Sequence, residues 1–473
     1  MFEIDGTNTA TGAGSYDRVV LTGAGSSFTA GGALEPQLRG ISGDATNTFT
    51  PSLTQAFRIV QAEGGVLGSF SGLAQPVGLA AHTRLDALST SDAITLWVTP
   101  DNYSDLSPHG VFLTGNQMQV GKGLEALRGA AGVRVAADTT EALETLFAQT
   151  PERLPAVANQ LSGTVYGDAL MTGAAMSRTF ADVVSDQSAY GLASPATAER
   201  YTVWATATGQ NQSVGRDHNT GYNSSSGGAA AGAIVRLGDA FTVGAALGYG
   251  GARTTARDTG GKAEVDLVNV ALRGGWESGQ LWAGAYVGAA IMETRTTRDL
   301  TTFGSSARGT ASGYGMNTGV EAGLRYTGGG WTFLPSLALG LDELGRRSMT
   351  ENGAGPLSLA VASDDVTSVM GAARIRLQRE FTLESGTRVT PTVRFQLAHE
   401  VGDRDTTTST EFVGAPGTAM RLHSPTLGRT ALGLTLGTVV DLPSGLAFYA
   451  RYSGETREGL DSHAAVGGVS FKW

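Results

Sequence analysis

Cysteine is absent from all 473 residues, which excludes a disulfide framework, a zinc–thiolate site and a cysteine nucleophile. Charged residues are scarce, at 16% against the ~25% usual in soluble domains. The balance is acidic, with a net charge of -10 and a pI ≈ 5.2, so nucleic acid is not an expected partner. No apolar run approaches the ~18 residues of a membrane-spanning helix. The mean hydropathy of -0.04 still allows a membrane barrel, whose polar lumen offsets its apolar outside. The six histidines, His82, His109, His218, His399, His423 and His463, lack metal-site spacing, and neither metal nor cofactor is expected. Gly23-Ala24-Gly25-Ser26-Ser27-Phe28 starts like a dinucleotide loop but has Phe28 where the last glycine belongs, and reads as a β turn. No esterase elbow G-x-S-x-G occurs, and no catalytic residue is assigned on motif grounds.

Glycine is what the chain has in quantity, with 68 residues, and changes of pattern divide the sequence into three regions. Residues 1–110 read as short β segments, such as Tyr16-Asp17-Arg18-Val19-Val20-Leu21 and Ile94-Thr95-Leu96-Trp97-Val98, in the style of stacked solenoid rungs with a terminal cap. A small β-sandwich is the alternative. Residues 111–198 are expected to be helical. Helices are predicted over Gly123 to Arg128 and Thr139 to Gln149, the second capped by Asp138 or Thr139. A long helix follows over about 151–188, with apolar residues Leu154, Val157, Leu161, Val165, Ala169, Met176 and Phe180 at spacings of three, four and seven. Gly163, Gly167 and Gly173 interrupt its helix propensity, as expected where another group passes close to the backbone or where the space is narrow.

Residues 199–473 carry twelve alternating strands, near 200–212, 225–237, 241–255, 263–276, 281–297, 310–327, 331–345, 364–380, 388–402, 425–441, 445–455 and 462–473. Connections after even strands are tight and those after odd strands are expected to be longer, as at 346–363 and 403–424. A transmembrane barrel has this asymmetry, with short periplasmic turns and longer external loops. Parity turns Trp331, Phe333, Leu337 and Leu339 toward lipid, and likewise Leu432, Leu434 and Leu436. The opposite faces hold Arg273, Glu321, Arg325, Arg374, Arg376, Arg394 and Arg451, where an arginine avoids the ~2–4 kcal/mol of a lipid-facing midplane position. These lumen residues either pair with acids such as Asp168, Asp182 and Asp186 on the helix or form an eyelet for anionic solutes. Trp276, Trp282, Tyr326, Trp331 and Trp473 are placed in an interfacial aromatic girdle. Because a barrel of this kind needs export and Met1-Phe2-Glu3-Ile4-Asp5-Gly6 is no signal peptide, the sequence is expected to lack an upstream part.

The chain resembles the C-terminal portion of an autotransporter of the type V secretion pathway, over essentially all of its length. The residues that carry the resemblance are Gly64-Gly65-Val66-Leu67-Gly68-Ser69-Phe70 and Ile94-Thr95-Leu96-Trp97-Val98-Thr99-Pro100 at the passenger end. Leu161-Ser162-Gly163-Thr164-Val165-Tyr166-Gly167 is similar to the linker, and Phe471-Lys472-Trp473 to the terminal signature. The resemblance implies an all-β fold: a twelve-stranded antiparallel barrel with an α-helix in its lumen, after the end of a β-helical passenger. It implies that Leu161, Gly163, Gly167, Asp168, Gly173, Arg178 and Asp182 lie on the lumen helix. It also implies that Val469, Phe471 and Trp473 form an assembly signal read by the barrel assembly machinery, with periplasmic chaperones as further partners. The expected product is a monomeric outer-membrane protein in contact with lipid and lipopolysaccharide, with residues 1–110 at the cell surface. It would export and anchor its own passenger, and any enzymatic activity would lie in that passenger. Some members cut themselves at an Asn-Asn pair in the linker. Asn159-Gln160 stands here instead, so Asn159 is a candidate position beside uncleaved display or cutting by another protease. A diffusion channel with an accessory β domain is the alternative function.

Overall fold

The computed structural model describes residues 1–39, 45–192, 199–215 and 220–473, and the side chains of all of these except 187–192; His218 lies outside them. Twelve strands form one antiparallel sheet: β1 Tyr201–Val214, β2 Tyr222–Leu237, β3 Phe241–Ala256, β4 Gly261–Ser278, β5 Leu281–Leu300, β6 Ser305–Leu324, β7 Trp331–Arg346, β8 Asp364–Arg379, β9 Arg388–Glu400, β10 Thr430–Asp441, β11 Leu446–Arg457 and β12 Leu460–Lys472. Each pairs with its neighbour in sequence, and β1 pairs with β12 from Thr202 opposite Lys472 to Val214 opposite Leu460. The sheet therefore closes and has no free edge.

The alternation of apolar and polar residues sets the two faces. Leu337 is 71% exposed and Leu339 53% on the outside of β7, while Ser336 and Asp342 are buried within. Leu432, Leu434 and Leu436 also face out. Aromatic rings gather at the short-turn rim. Tyr201 stacks on Trp473 at 5.7 Å, Tyr326 on Phe333 at 6.3 Å, and the Arg379 guanidinium lies over Trp331 at 5.2 Å. Trp282 is a correction to the girdle: it sits one residue out of phase with exposed Leu281, faces inward and packs on Leu334.

The loop asymmetry also needs correction. Of the connections after odd strands, 347–363 and 401–429 are long, but those between β3 and β4, β5 and β6, and β11 and β12 are short. The length at that rim lies instead in β5 and β6, whose hydrogen-bonded hairpin runs from Leu281–Leu300 into Ser305–Leu324. The two long loops supply the strands Met349–Thr350, Leu359–Val361, Thr407–Phe412 and Met420–His423, which form a separate four-stranded antiparallel sheet.

Four helices precede the barrel. Helix α1, Gly115–Arg128, starts at a Thr114/Gln117 capping box, well before the expected Gly123. Helix α2, Ala137–Phe147, has Ala136 at its N-cap with no side-chain cap, and Asp138 falls inside its first turn. The expected single long helix is two: α3, Leu154–Leu161, and α4, Thr164–Leu192. The break falls at Ser162, whose backbone is extended and whose hydroxyl accepts from the Thr164 N–H at 3.4 Å. The chain turns there into the barrel.

Residues 1–110 include short parallel pairs with a nearly constant offset, Val19 opposite Val60, Phe28 opposite Val66 and Ala33 opposite Gly72, and one with a shorter offset, Phe2 opposite Pro36. Strand Ala93–Pro100 then pairs antiparallel with both Ala56–Ala62 and Thr83–Ser89. Phe57, Ile59, Val60, Leu85, Ile94 and Leu96 form a closed core of their own.

The barrel lumen as candidate functional site

Helix α4 runs inside the barrel. Its first turns lie at the long-loop rim, where a Cβ on Gly167 would strike Thr406 Oγ1; Gly163, expected on the lumen helix, lies instead in the break before it, where a Cβ would meet Leu359 Cδ1 at 2.9 Å. Deeper in, a Cβ on Gly173 would come within 2.8 Å of Leu344 Cδ2 and 2.9 Å of Met292 Sδ. Gly167 and Gly173 let the wall approach the helix backbone more closely than any side chain allows. Leu161 is fully buried but belongs to α3, in the core that joins the helices to the external loops.

A buried polar cluster fixes the helix where it begins. Arg298 of β5 donates to both carboxylate oxygens of Glu351, from Nε at 2.7 Å and from Nη2 at 2.6 Å, and both side chains are fully buried. The same guanidinium donates to the Gln160 carbonyl at 3.2 Å and the Leu357 carbonyl at 3.1 Å. Glu351 also accepts from the Leu359 N–H at 2.7 Å and from the Tyr166 hydroxyl of α4, which in turn accepts from Thr296 at 3.1 Å. None of these three residues, Arg298, Glu351 or Tyr166, was singled out from sequence. Arg298 shares the inward parity of Thr294 and Thr296, which was the available signal. Glu351 sits in a loop, where parity has no meaning.

Farther along the bore, Arg178 of α4 donates to Ser368 at 2.9 Å and lies 3.8 Å from Asp342 and 4.0 Å from Glu400. Arg374 bonds Glu321 at 2.7 Å and Gln396 at 2.8 Å, with Asp182 at 3.8 Å. Arg376 at 3.0 Å, Arg394 at 2.9 Å, and Arg451 all converge on Asp186. Three strands are thus tied to one carboxylate of the helix. Asp168 does not serve as a counter-charge: it is fully buried, and among the described residues its carboxylate oxygens have no hydrogen-bond partner. Arg325 lies near the short-turn rim and pairs with Glu277 of β4. Arg273 is buried, and among the described residues its Nε and Nη1 have no partner.

Val469, Phe471 and Trp473 lie along the outer face of β12 at the seam, with Phe471 opposite Val203 and Val469 opposite Ala205. The Trp473 carbonyl accepts from the Arg200 and Tyr201 N–H groups, each at 3.0 Å. Asn159 lies in α3, outside the bore segment; its side-chain oxygen accepts from Gln117 at 3.0 Å and its carbonyl from the Ser162 N–H at 3.1 Å.

The translocator domain of the autotransporter NalP from Neisseria meningitidis aligns with this chain at a TM-score of 0.53 and 19% identity, over 66% of this chain and 99% of that one. The β-domain of the Bordetella autotransporter BrkA gives 0.46 and 17%, over 58% and 100%. The transport unit of AIDA-I from Escherichia coli gives 0.45 and 14%, over 59% and 91%. No curated protein sequence matches the chain. The NalP likeness is one of fold, and it agrees with the closed twelve-stranded barrel. Membership rests on the sequence: the autotransporter β-domain family model matches residues 203–453, more than half of the chain, and the chain belongs to that family.

Proposed function

We propose that the barrel exports its own N-terminal segment through the bore that α4 now fills, and afterwards holds that segment at the surface with α4 as a stopper. The family makes the chain an outer-membrane translocator carrying its own passenger. The threaded helix is the observation that supports the finer reading. Its 29 residues reach ~43 Å at 1.5 Å per residue, beyond the ~25 Å apolar band of such barrels. It begins among the long external loops, and its chain continues into β1, which starts at the short-turn rim beside Trp473.

Residues 1–110 are, in this reading, the last coils and cap of a β-helical passenger. The parallel pairs of near-constant offset support this, as does the antiparallel strand pair that ends them. Assembly by the barrel assembly machinery with periplasmic chaperones belongs to the same proposal, supported by the outward row Val469, Phe471 and Trp473 at the closing strand. The chain itself catalyses no reaction, and Asn159 stays uncut. Asn159 lacks an asparagine neighbour, and its amide is engaged by Gln117.

The test is planar-bilayer conductance of the full chain against a form lacking 164–192, paired with protease shaving of intact cells. A clear rise in conductance on deletion, with residues 1–110 digested from outside, is the expected result. Unchanged conductance, or a protected N-terminal region, would reject the reading.

A further inference from the structure

One cavity of the bore is not accounted for by export. It lies between α4 and strands β4 to β9 with Glu455 of β11, has a volume of ≈ 80 Å³, and carries Arg178, Arg273 and Arg374 together with the carboxylates of Asp182, Glu321, Asp342 and Glu455. By the same measure a single water needs ~10–15 Å³, so the space holds several waters or a small ion. It exists because glycine recurs along one level of the wall. Arg273 lies opposite Gly244 and Tyr286, and Tyr286 opposite Gly319, which faces Gly340. A Cβ on Gly319 would come within 2.6 Å of the Tyr286 ring, and one on Gly244 within 3.2 Å of Arg273 Cγ.

The charges of this cavity are unevenly served. Arg178 faces Asp342, and Arg374 faces Glu321 and Asp182. Glu455, also on the lining, lies 3.9 Å from Arg457. Arg273 is only 6% exposed, and its Nε and Nη1 have no hydrogen-bond partner among the described residues. Trp282, on the same wall, has a buried indole N–H that also lacks an acceptor. Neither of these two buried donors has an acceptor among the described residues, although carboxylates share the cavity. A buried guanidinium left unpaired is strongly unfavourable, and its unmet donors are complementary to an anion.

We propose that the cavity binds a small inorganic anion, of the halide or phosphate class, on the Arg273 guanidinium. The anion completes the charge pairing between wall and helix, and the inference stands whether or not α4 is the export stopper. The experiment is thermal unfolding of the full chain refolded in detergent, titrated with sodium chloride or sodium phosphate against sodium gluconate at equal ionic strength. A ligand specific to the folded state raises the midpoint saturably, so the expected result is a saturating rise of a few degrees with chloride or phosphate and none with gluconate. Arg273→Gln loses that response. A wild-type chain that does not distinguish the salts, or an Arg273→Gln chain that responds as wild type does, overturns the proposal. Should Arg273→Gln not fold, bromide-soaked crystals of the unaltered protein decide: an anomalous peak on the guanidinium supports the site, and the Asp182 carboxylate in that position overturns it.

Discussion

Glu351 joins four segments through one carboxylate: the β5 wall through Arg298, the external sheet through Leu359, and, through Tyr166 and the Gln160 carbonyl bound by Arg298, both helices of the linker. Removing one charge of a buried pair strands the other, at about 3–5 kcal/mol. Glu351→Gln is therefore expected to lower the unfolding midpoint markedly. The double change Arg298→Met, Glu351→Leu should recover much of the loss, and calorimetry of both forms in detergent checks this. Asp5 gives a different signature. Its carboxylate accepts from the N–H groups of Gly14 and Thr46, both at 2.9 Å, and from the Thr46 hydroxyl at 2.5 Å. These bonds lower its pKa from 3.8 to about 2. A depressed carboxylate stabilises the fold above its unfolded pKa and loses that contribution as pH falls through the folded one. Amide exchange at Gly14, Thr46 and Asn47 is thus expected to accelerate, relative to other loops, between pH 4 and 2, and to be flat above pH 5. Inward parity exposed Arg374, Arg376, Arg394 and Arg451 to sequence reading. Which acid each arginine meets was not legible, because helix rotation inside the bore depends on packing among glycines that have no pattern of their own.

At the level of elements, α4 is held by fit as much as by charge. Gly173→Leu would drive a side chain into Leu344 and Met292, and overpacking of this kind costs about 1–3 kcal/mol. The expected outcome is a helix that seats poorly, read as larger and noisier single-channel conductance with the barrel still heat-modifiable on gels. Helix α1 docks differently. The Asn116 side chain donates to the His423 carbonyl at 2.8 Å and accepts from its N–H at 2.9 Å, as an added strand would. Asn116→Ala leaves both groups of His423 without that partner, for about 1–3 kcal/mol, and should speed protease cutting within 111–135 while barrel folding is unaffected. The twelve strands were readable because period-two alternation persists over every one of them. The start of α1 was missed because its capping box precedes glycines that weaken the helical signal. The split between α3 and α4 was missed because apolar periodicity runs straight through Ser162.

For the whole molecule, closure depends on the β1–β12 seam. Trp473 contributes two carbonyl bonds to the chain at 200 and 201, a stack on Tyr201 at 5.7 Å and another on Phe471 at 5.6 Å. Aromatic pairs contribute about 0.5–1.5 kcal/mol each, so Trp473→Ala should destabilise the folded barrel by about 1–3 kcal/mol, seen as a lower temperature for the unboiled-to-boiled shift on gels. That both ends of the barrel lie on the short-turn rim was legible from the even strand count. The external sheet built from loops 347–363 and 401–429 was not, because its strands pair across segments far apart in the chain. The threaded arrangement has a mechanical consequence. Residues 1–161 form structured bodies on one side of a closed ring, and a single helix passes through it, like a knotted cord through an eyelet. Tension from the periplasmic side cannot withdraw the cord without first untying the knot, while a pull from outside loads first the Tyr166 and Gln160 contacts with the Glu351–Arg298 pair and last the three arginines on Asp186.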